Sequence, residues 1–327
     1  MTTEQEIRSL LDKIPALKKE IQKVIVGQDE ALDELLAAFF AGGHALLEGV
    51  PGLAKTLMIR SLANAVSLSF RRIQFTPDLM PADILGTEVL EEERATGRRF
   101  FKFNQGPIFA NIVLADEINR APPKTQSALL EAMQERSVTL SGKTYSLEQP
   151  FFVLATQNPI EQAGTYPLPE AQLDRFLLHL KLDYPSEEDE ARILAQTTGA
   201  ETPELSPVLT AEELRAIQRL AREVVISSDL LNLVNRLVRE TRPQTTSFDF
   251  IRQNLEWGAG TRAGQALILA AKAFALAQGR FSVLPSDIRR MALPALRHRV
   301  ILNFKAQAEK LTADDITRAL LSRFRLS

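Results

Sequence analysis

The chain has 327 residues, of which 45% are hydrophobic and 24% charged, an ordinary globular composition long enough for about two domains. Its 39 basic and 41 acidic side chains leave a net charge of −2, which gives no electrostatic case for wholesale nucleic-acid binding. Cysteine is absent, which excludes disulfides, thiolate catalysis and cysteine-based zinc sites. His44, His179 and His298 stand far apart without metal-ligand spacing and read as structural.

The first residues, Met1-Thr2-Thr3-Glu4-Gln5-Glu6, carry neither a basic n-region nor an apolar h-region, and no run of eighteen apolar residues follows anywhere. A cytoplasmic protein without a membrane span is the expectation. Ile7, Leu10, Leu11, Ile14, Leu17 and Ile21 repeat at helical spacing, so the chain opens with an amphipathic helix. Val24-Ile25-Val26-Gly27-Gln28 then turns into a second helix over 29–41.

A short apolar strand, Ala45-Leu46-Leu47, leads into Gly49-Val50-Pro51-Gly52-Leu53-Ala54-Lys55-Thr56, and a helical run starts at Leu57. Strand, tight loop and helix is the context of a phosphate-binding loop, because N–H groups and the helix dipole at a helix N-terminus attract an anion. Residues 49–57 would cradle a nucleotide, with Lys55 on the β- and γ-phosphates and the Thr56 hydroxyl on Mg²⁺. Ala54 stands where the general pattern has its second glycine, and the methyl is tolerated if φ stays negative there. A Gly/Pro turn ahead of an amphipathic helix would use the same residues.

Further on, 69–75 alternates like a strand. Residues 85–106 read as an inserted β-hairpin with a charged turn at 91–97 and an aromatic face of Phe100, Phe101 and Phe103. Asn111-Ile112-Val113-Leu114-Ala115-Asp116-Glu117 is an apolar strand ending in two carboxylates. Asp116 there can hold Mg²⁺ across from the phosphate loop, and Glu117, pointing to the other strand face, can orient or deprotonate an attacking water. The same Asp-Glu pair could instead cap a helix. Continuous apolar runs at 112–115 and 151–156, with a last short strand at 176–180, suit a parallel sheet buried on both faces. Composition shifts at Asp183-Tyr184-Pro185-Ser186, and everything after looks helical. The expected fold is therefore α/β over 1–183, with the hairpin near 85–106, followed by an all-α domain over 184–327.

These motifs resemble the AAA+ ATPases, and within them the MoxR family, over nearly the whole chain. Besides the phosphate loop, whose Ala54 is typical of MoxR proteins, the resemblance rests on Leu114-Ala115-Asp116-Glu117-Ile118-Asn119-Arg120-Ala121, Ala155-Thr156-Gln157-Asn158-Pro159 and Leu168-Pro169-Glu170-Ala171-Gln172-Leu173-Asp174-Arg175-Phe176. The hairpin is similar to the helix-2 insert of that clade. The resemblance implies adenine contacts at Val26, Gly27 and Gln28, a water-placing sensor at Asn158, an arginine finger at Arg175 for the neighbouring subunit, and a second sensor at Arg262. Gly-Thr stands before Arg262 where MoxR proteins usually carry Ser-Pro. Arg120 is a further interface candidate. Asn158 could also be a strand-end turn before Pro159, and Arg175 a surface partner of Asp174 or Glu170.

The implied activity is hydrolysis of ATP to ADP with Mg²⁺ in a ring, as a hexamer, coupled to chaperone-like remodelling of a partner protein, often one with a von Willebrand factor A domain. The rival readings are a nucleic-acid motor of the same clade and a non-hydrolysing nucleotide-binding scaffold. Arg289, Arg290, Arg297, Arg299 and Lys305 read as a solvated helix face or a subunit contact rather than a nucleic-acid surface. No Asn-Lys-x-Asp segment for reading guanine is present.

Overall fold

The computed structural model describes residues 4–92, 99–159, 164–199 and 203–324. Helices α1 (Glu4–Ile21) and α2 (Asp29–Ala41) precede β1 (Ala45–Gly49) and α3 (Lys55–Ala65). Next come β2 (Phe70–Gln74), α4 (Pro81–Leu85), a hairpin of β3 (Gly86–Glu92) and β4 (Arg99–Gln105), β5 (Ile112–Asp116) and α5 (Pro123–Glu135). A second hairpin, β6 (Ser137–Leu140) and β7 (Lys143–Ser146), leads to β8 (Phe152–Gln157), α6 (Glu170–Leu173) and β9 (Leu178–Leu182). The remainder holds α7 (Glu187–Thr198), α8 (Ala211–Glu223), α9 (Ser228–Glu240), α10 (Asp249–Asn254), β10 (Leu255–Trp257), α11 (Thr261–Ala277), α12 (Pro285–Leu296), β11 (Ile301–Leu302), α13 (Phe304–Ala308) and α14 (Ala313–Leu321).

The central sheet runs β2-β5-β8-β1-β9, and every pairing in it is parallel. Its apolar runs are long because both faces are covered, and the period of two divides each strand between two cores. Leu47, Leu114, Leu154 and Leu180 face α1, α2 and α3, while Leu46, Val113, Val153 and Ala155 face the side of α4 and α5. The first core does not stop at the sheet. Leu214 of α8, Leu237 of α9, Leu267 of α11, Ile288 of α12 and Leu320 of α14 belong to the same buried cluster as α1 and α2. The C-terminal helices thus lie on the N-terminal pair, and the apolar interior is continuous across residue 184.

Several local expectations need correction. The hairpin does not present one aromatic face. Its register sets Phe101 opposite Leu90 and Phe103 opposite Glu88, while Phe100 lies opposite Glu91 and therefore on the other side. Phe101 is 67% exposed, whereas Phe103 stacks on Tyr145 of the second hairpin at 4.2 Å. From residue 93 the expected charged turn lies outside the described residues. The second hairpin was not read from the sequence, nor was the β10–β11 pair among the C-terminal helices, which leaves Trp257 exposed. Among the described residues, no helix is long and apolar enough to cross a membrane.

The basic residues after 289 are also not one solvated face. Arg290 donates to Glu34 of α2 at 2.6 Å, Arg297 to Asp314 of α14 at 2.8 Å, and Arg299 to Asp174 at 2.6 Å. Their chain positions gave no hint of this, because Glu34 and Asp174 are remote in sequence and Asp314 lies on a separate helix. Arg289 stays exposed, and Lys305 has a loose partner in Glu309 at 3.9 Å.

All three histidines are buried. His44 sits between β1 and its neighbours, with Nδ1 accepting from Val153 N–H at 3.0 Å and Nε2 donating to the Met133 carbonyl at 3.1 Å. Those partners require the neutral ring protonated on Nε2, and burial pulls its pKa down to about 4. His179 and His298, 119 positions apart, meet edge to face at 5.8 Å, and burial lowers both. Each ring is neutral when folded and takes up a proton near pH 6.5 when unfolded, so its stabilisation is present above that pH and fades as pH falls toward the folded value. For His44 alone the loss approaches about 3 kcal/mol by pH 4. Urea midpoints should therefore fall between pH 7 and about pH 5.5, above the carboxylate range. His44→Gln should be less stable at pH 7 and show a shallower decline, and equal slopes for the two proteins would remove His44 from this role.

Candidate active site

Gly49 ends β1, and the chain turns through Val50–Ala54 into the eleven-residue α3. Gly52 has φ 89°, and a Cβ there would meet nothing within 4 Å, so the loop leaves an open concavity at the helix N-terminus. Ala54 also lies in the left-handed region, with φ 54°, contrary to the negative angle expected for a non-glycine residue. That conformation costs a methyl-bearing residue roughly 1–2 kcal/mol. The loop closure from strand to helix imposes it. Lys55 Nζ donates to the Gly49 carbonyl at 2.7 Å, which folds its side chain back over the loop.

Asp116 ends β5 and is 7% exposed. Its Oδ1 accepts from the Thr156 hydroxyl at 2.6 Å, and its Oδ2 accepts from Arg72 Nε and Nη2 at 3.0 and 2.6 Å. Glu117 does not continue the strand. It adopts φ 56°, ψ 49° ahead of a 3-10 turn at Ile118–Arg120, so its direction comes from a left-handed kink and not from strand alternation. It makes no side-chain cap there. Its Oε2 accepts from Gln74 at 2.8 Å and from Arg120 at 2.8 Å, while its N–H donates to Thr156 Oγ at 2.9 Å. Thr156 thus fixes both carboxylate residues from the neighbouring strand. Thr156, Arg72 and Gln74 escaped the sequence reading. The period of two along β2, which sets Arg72 and Gln74 on one face, was the available signal.

The parallel register places Glu48 opposite Gln157, so Asn158 comes level with Gly49 at the start of the phosphate loop. Asn158 is buried and lines a cleft with Glu48, Asn119 and Leu173. Gly27, at φ 72°, lies so close to α7 that a Cβ would meet Asp189 at 2.8 Å, and Gln28 donates to the Asp183 carbonyl at 2.9 Å. Val26, Gly27 and Gln28 therefore pack where β9 leaves the sheet. Lys55, Thr56, Asp116, Glu117 and Asn158 all belong to the edge where strands β1, β5 and β8 end. Helix N-terminus, lysine and open loop fit a polyphosphate. Thr56 and Asp116 offer hard oxygen donors suited to Mg²⁺, which would supply Lewis acidity to the phosphoryl group. Among the described residues, no cluster of three or more His, Cys, Asp or Glu could cage a metal without a ligand's oxygens.

Arg175 and Arg262 lie elsewhere. Leu178 pairs with Ala45, and Leu177 N–H donates to the His44 carbonyl at 2.7 Å, so Arg175 precedes the beginning of β9. It lines a cleft of about 220 Å³ with His44, Met133, Asp174, Arg262 and Arg299. Arg262, in the first turn of α11, stands 3.9 Å from Asp174 Oδ2. Both arginines are thus at the sheet edge where strands start, a five-residue strand or roughly 15 Å from the phosphate loop.

This site and fold define an AAA-type ATPase. Residues 44–178 match the ATPase family associated with various cellular activities (AAA), and residues 250–320 match the AAA lid domain. Chaperone MoxR1 of Mycobacterium tuberculosis is 43% identical over 92% of this chain and 79% of its own length. YeaC of Bacillus subtilis is 42% identical over 98% of this chain and 96% of its own, and MoxR of Methylorubrum extorquens 32% identical over 89% and 88%. A crystal structure of a protein from Cytophaga hutchinsonii superposes with a TM-score of 0.90 at 42% identity, covering 98% of this chain and 97% of that one. The chain belongs to the MoxR family of AAA+ ATPases.

Thr156→Val keeps the shape of β8 and removes the hydroxyl shared by Asp116 and the Glu117 N–H. The unmet groups should cost about 1–3 kcal/mol, and turnover of ATP should drop more than ATP affinity. Parallel titration of binding and phosphate release checks this, and equal losses in both would mean that Thr156 only supports the fold.

Proposed function

We propose that the protein hydrolyses ATP with Mg²⁺ in a ring of identical subunits, a hexamer, and uses the cycle to remodel or activate a partner protein. The observation that carries the ring is the separation of the site's parts. Lys55, Thr56, Asp116, Glu117 and Asn158 lie at one sheet edge, while Arg175 and Arg262 lie at the other, too far to reach phosphates bound to their own chain. A neighbour that presents its strand-start edge to the phosphate loop completes the site, with both arginines acting in trans.

In this reading the loop of 49–57 and Lys55 neutralise phosphate charge, and Val26, Gly27 and Gln28 flank the adenine. Glu117 takes the proton of the attacking water, and Asn158 holds that water. Arg175 and Arg262 of the neighbour stabilise charge on the leaving phosphates. Hydrolysis then shifts the helical part, 184–327, against 1–183. The partner is a protein, of the von Willebrand factor A class in the family resemblance. The near-neutral charge and the exposed apolar side chains of the first hairpin, Leu90 and Phe101 on one face and Val89 and Phe100 on the other, support a polypeptide over a nucleic acid.

Lys55→Ala should abolish ATP binding, and retained affinity would remove the phosphate-loop assignment. Glu117→Gln should bind ATP and hydrolyse it at least about a hundredfold slower. Arg175→Ala should bind ATP normally and lose roughly 10³–10⁵ in turnover. Mixing it with Glu117→Gln subunits should restore part of the rate, since each supplies what the other lacks. Absence of recovery in co-assembled rings would refute action in trans. Turnover that rises several-fold with DNA or RNA at low salt, through the first hairpin, would favour a nucleic-acid motor instead.

A further inference from the structure

Arg175 sits on the connection 174–177 between α6 and β9, which has few ladder partners for its carbonyls. Such carbonyls must find donors elsewhere. Arg299 of the helical part supplies most of them, and the neighbouring His298 adds an Nε2 donor to the Phe176 carbonyl at 3.2 Å. Arg299 follows α12, and its side chain is 4% exposed. Nε donates to Asp174 Oδ1 at 2.6 Å, Nη2 to the Phe176 and Asp174 carbonyls at 2.6 and 3.4 Å, and Nη1 to the Leu177 carbonyl at 3.1 Å. Nη1 also donates to the Ala295 carbonyl of α12 at 2.5 Å, which ties the group to its own helix. The five N–H donors of a guanidinium thus have five acceptors, and the carbonyls on both sides of Arg175 are among them. The remaining oxygen of Asp174 faces Arg262 of α11 at 3.9 Å.

We propose that Arg299 is a positioning residue for Arg175. It fastens the backbone carrying the finger to α12, so that the orientation of the helical part sets where Arg175 stands at the neighbour's nucleotide. The inference rests on the reading that Arg175 acts in trans. It adds a route of regulation: a client or nucleotide that shifts the helices in one subunit changes hydrolysis in the next. Asp174 serves the same device as the carboxylate that both lid arginines address.

Arg299→Lys tests it. Lysine keeps the charge, but its three donors on a single atom cannot span this set of acceptors. ATP affinity should be unchanged, because the phosphate loop lies at the opposite sheet edge. Turnover should fall about ten- to a hundredfold, as expected for a displaced catalytic group. Mixed rings with Glu117→Gln should recover activity, because Arg299→Lys subunits keep an intact phosphate loop and receive a well-held Arg175. Adding Arg299→Lys to Arg175→Ala should cost nothing more, since a residue acting through Arg175 has nothing left to act on. Effects that multiply in the double variant, or ATP affinity and thermal midpoint falling in step with turnover, would overturn the inference in favour of a merely structural role. Should Arg299→Lys not fold, Asp174→Asn enters the same cycle and is read on turnover, ATP affinity and mixed-ring recovery alone, because it leaves the Arg299 charge unpaired and lowers the thermal midpoint by itself. Full turnover in Arg175→Ala would defeat the ring reading itself. Loss in Arg175→Ala with none in Arg299→Lys would defeat this inference alone.

Discussion

In a parallel sheet every strand starts at one edge and ends at the other, and the rest of this molecule depends on that polarity. The turn leaving β1 meets the N-terminus of α3, so positive backbone potential collects where strands end. The carboxylates of Asp116 and Glu117 and the amide of Asn158 arrive at the same edge because their strands are neighbours in register. The other edge receives chain ends from α6 and from the C-terminal helices. No loop rearrangement within one subunit can bring the two edges together, since the strands between them are rigid and buried on both faces.

The seam between the sheet and the C-terminal helices is held by two kinds of force. Apolar packing of α8 and α11 on α2 is non-directional and tolerates sliding. The ion pairs Arg290–Glu34 and Arg299–Asp174, and the bond from Arg297 to the His179 carbonyl of β9, do not, because each is short and directional. Removing one partner of such a pair strands a buried charge, at about 3–5 kcal/mol. Burial raises the pKa of Glu34, with Arg290 opposing it, and lowers that of Arg299, with Asp174 opposing it. In each pair the partner's charge offsets part of the cost of burial. These bonds sit where the helical part touches α2, β9 and the 174–177 connection, so they favour a small number of defined arrangements over a continuous range.

The parallel core was legible because Ile112–Ala115 and 151–155 are short and apolar without interruption, a pattern that suits a doubly covered strand. The strand, turn and helix around 49–57 were legible because the glycines and lysine of such a turn fall at fixed offsets. The φ of Ala54 was misjudged, because local sterics favour negative values and only the closed loop overrides them. Glu117 was misread as a strand residue, since a left-handed kink leaves no trace in composition. Thr156 was missed because its role arises across strands, from register that spacing along one chain does not reveal, and the shared face of Arg72 and Gln74 does not name their partners. Arg290, Arg297 and Arg299 looked like a basic face for the same reason.

The β10 strand has a consequence of an optical kind. Trp257 is the chain's single tryptophan, it is 63% exposed, and it belongs to the C-terminal part. The three tyrosines, Tyr145, Tyr166 and Tyr184, all precede that part's first helix. Ultraviolet emission therefore separates by colour between the chain up to Tyr184 and the helices after it. Energy passed from tyrosine to tryptophan gives an unlabelled ruler for the distance between them.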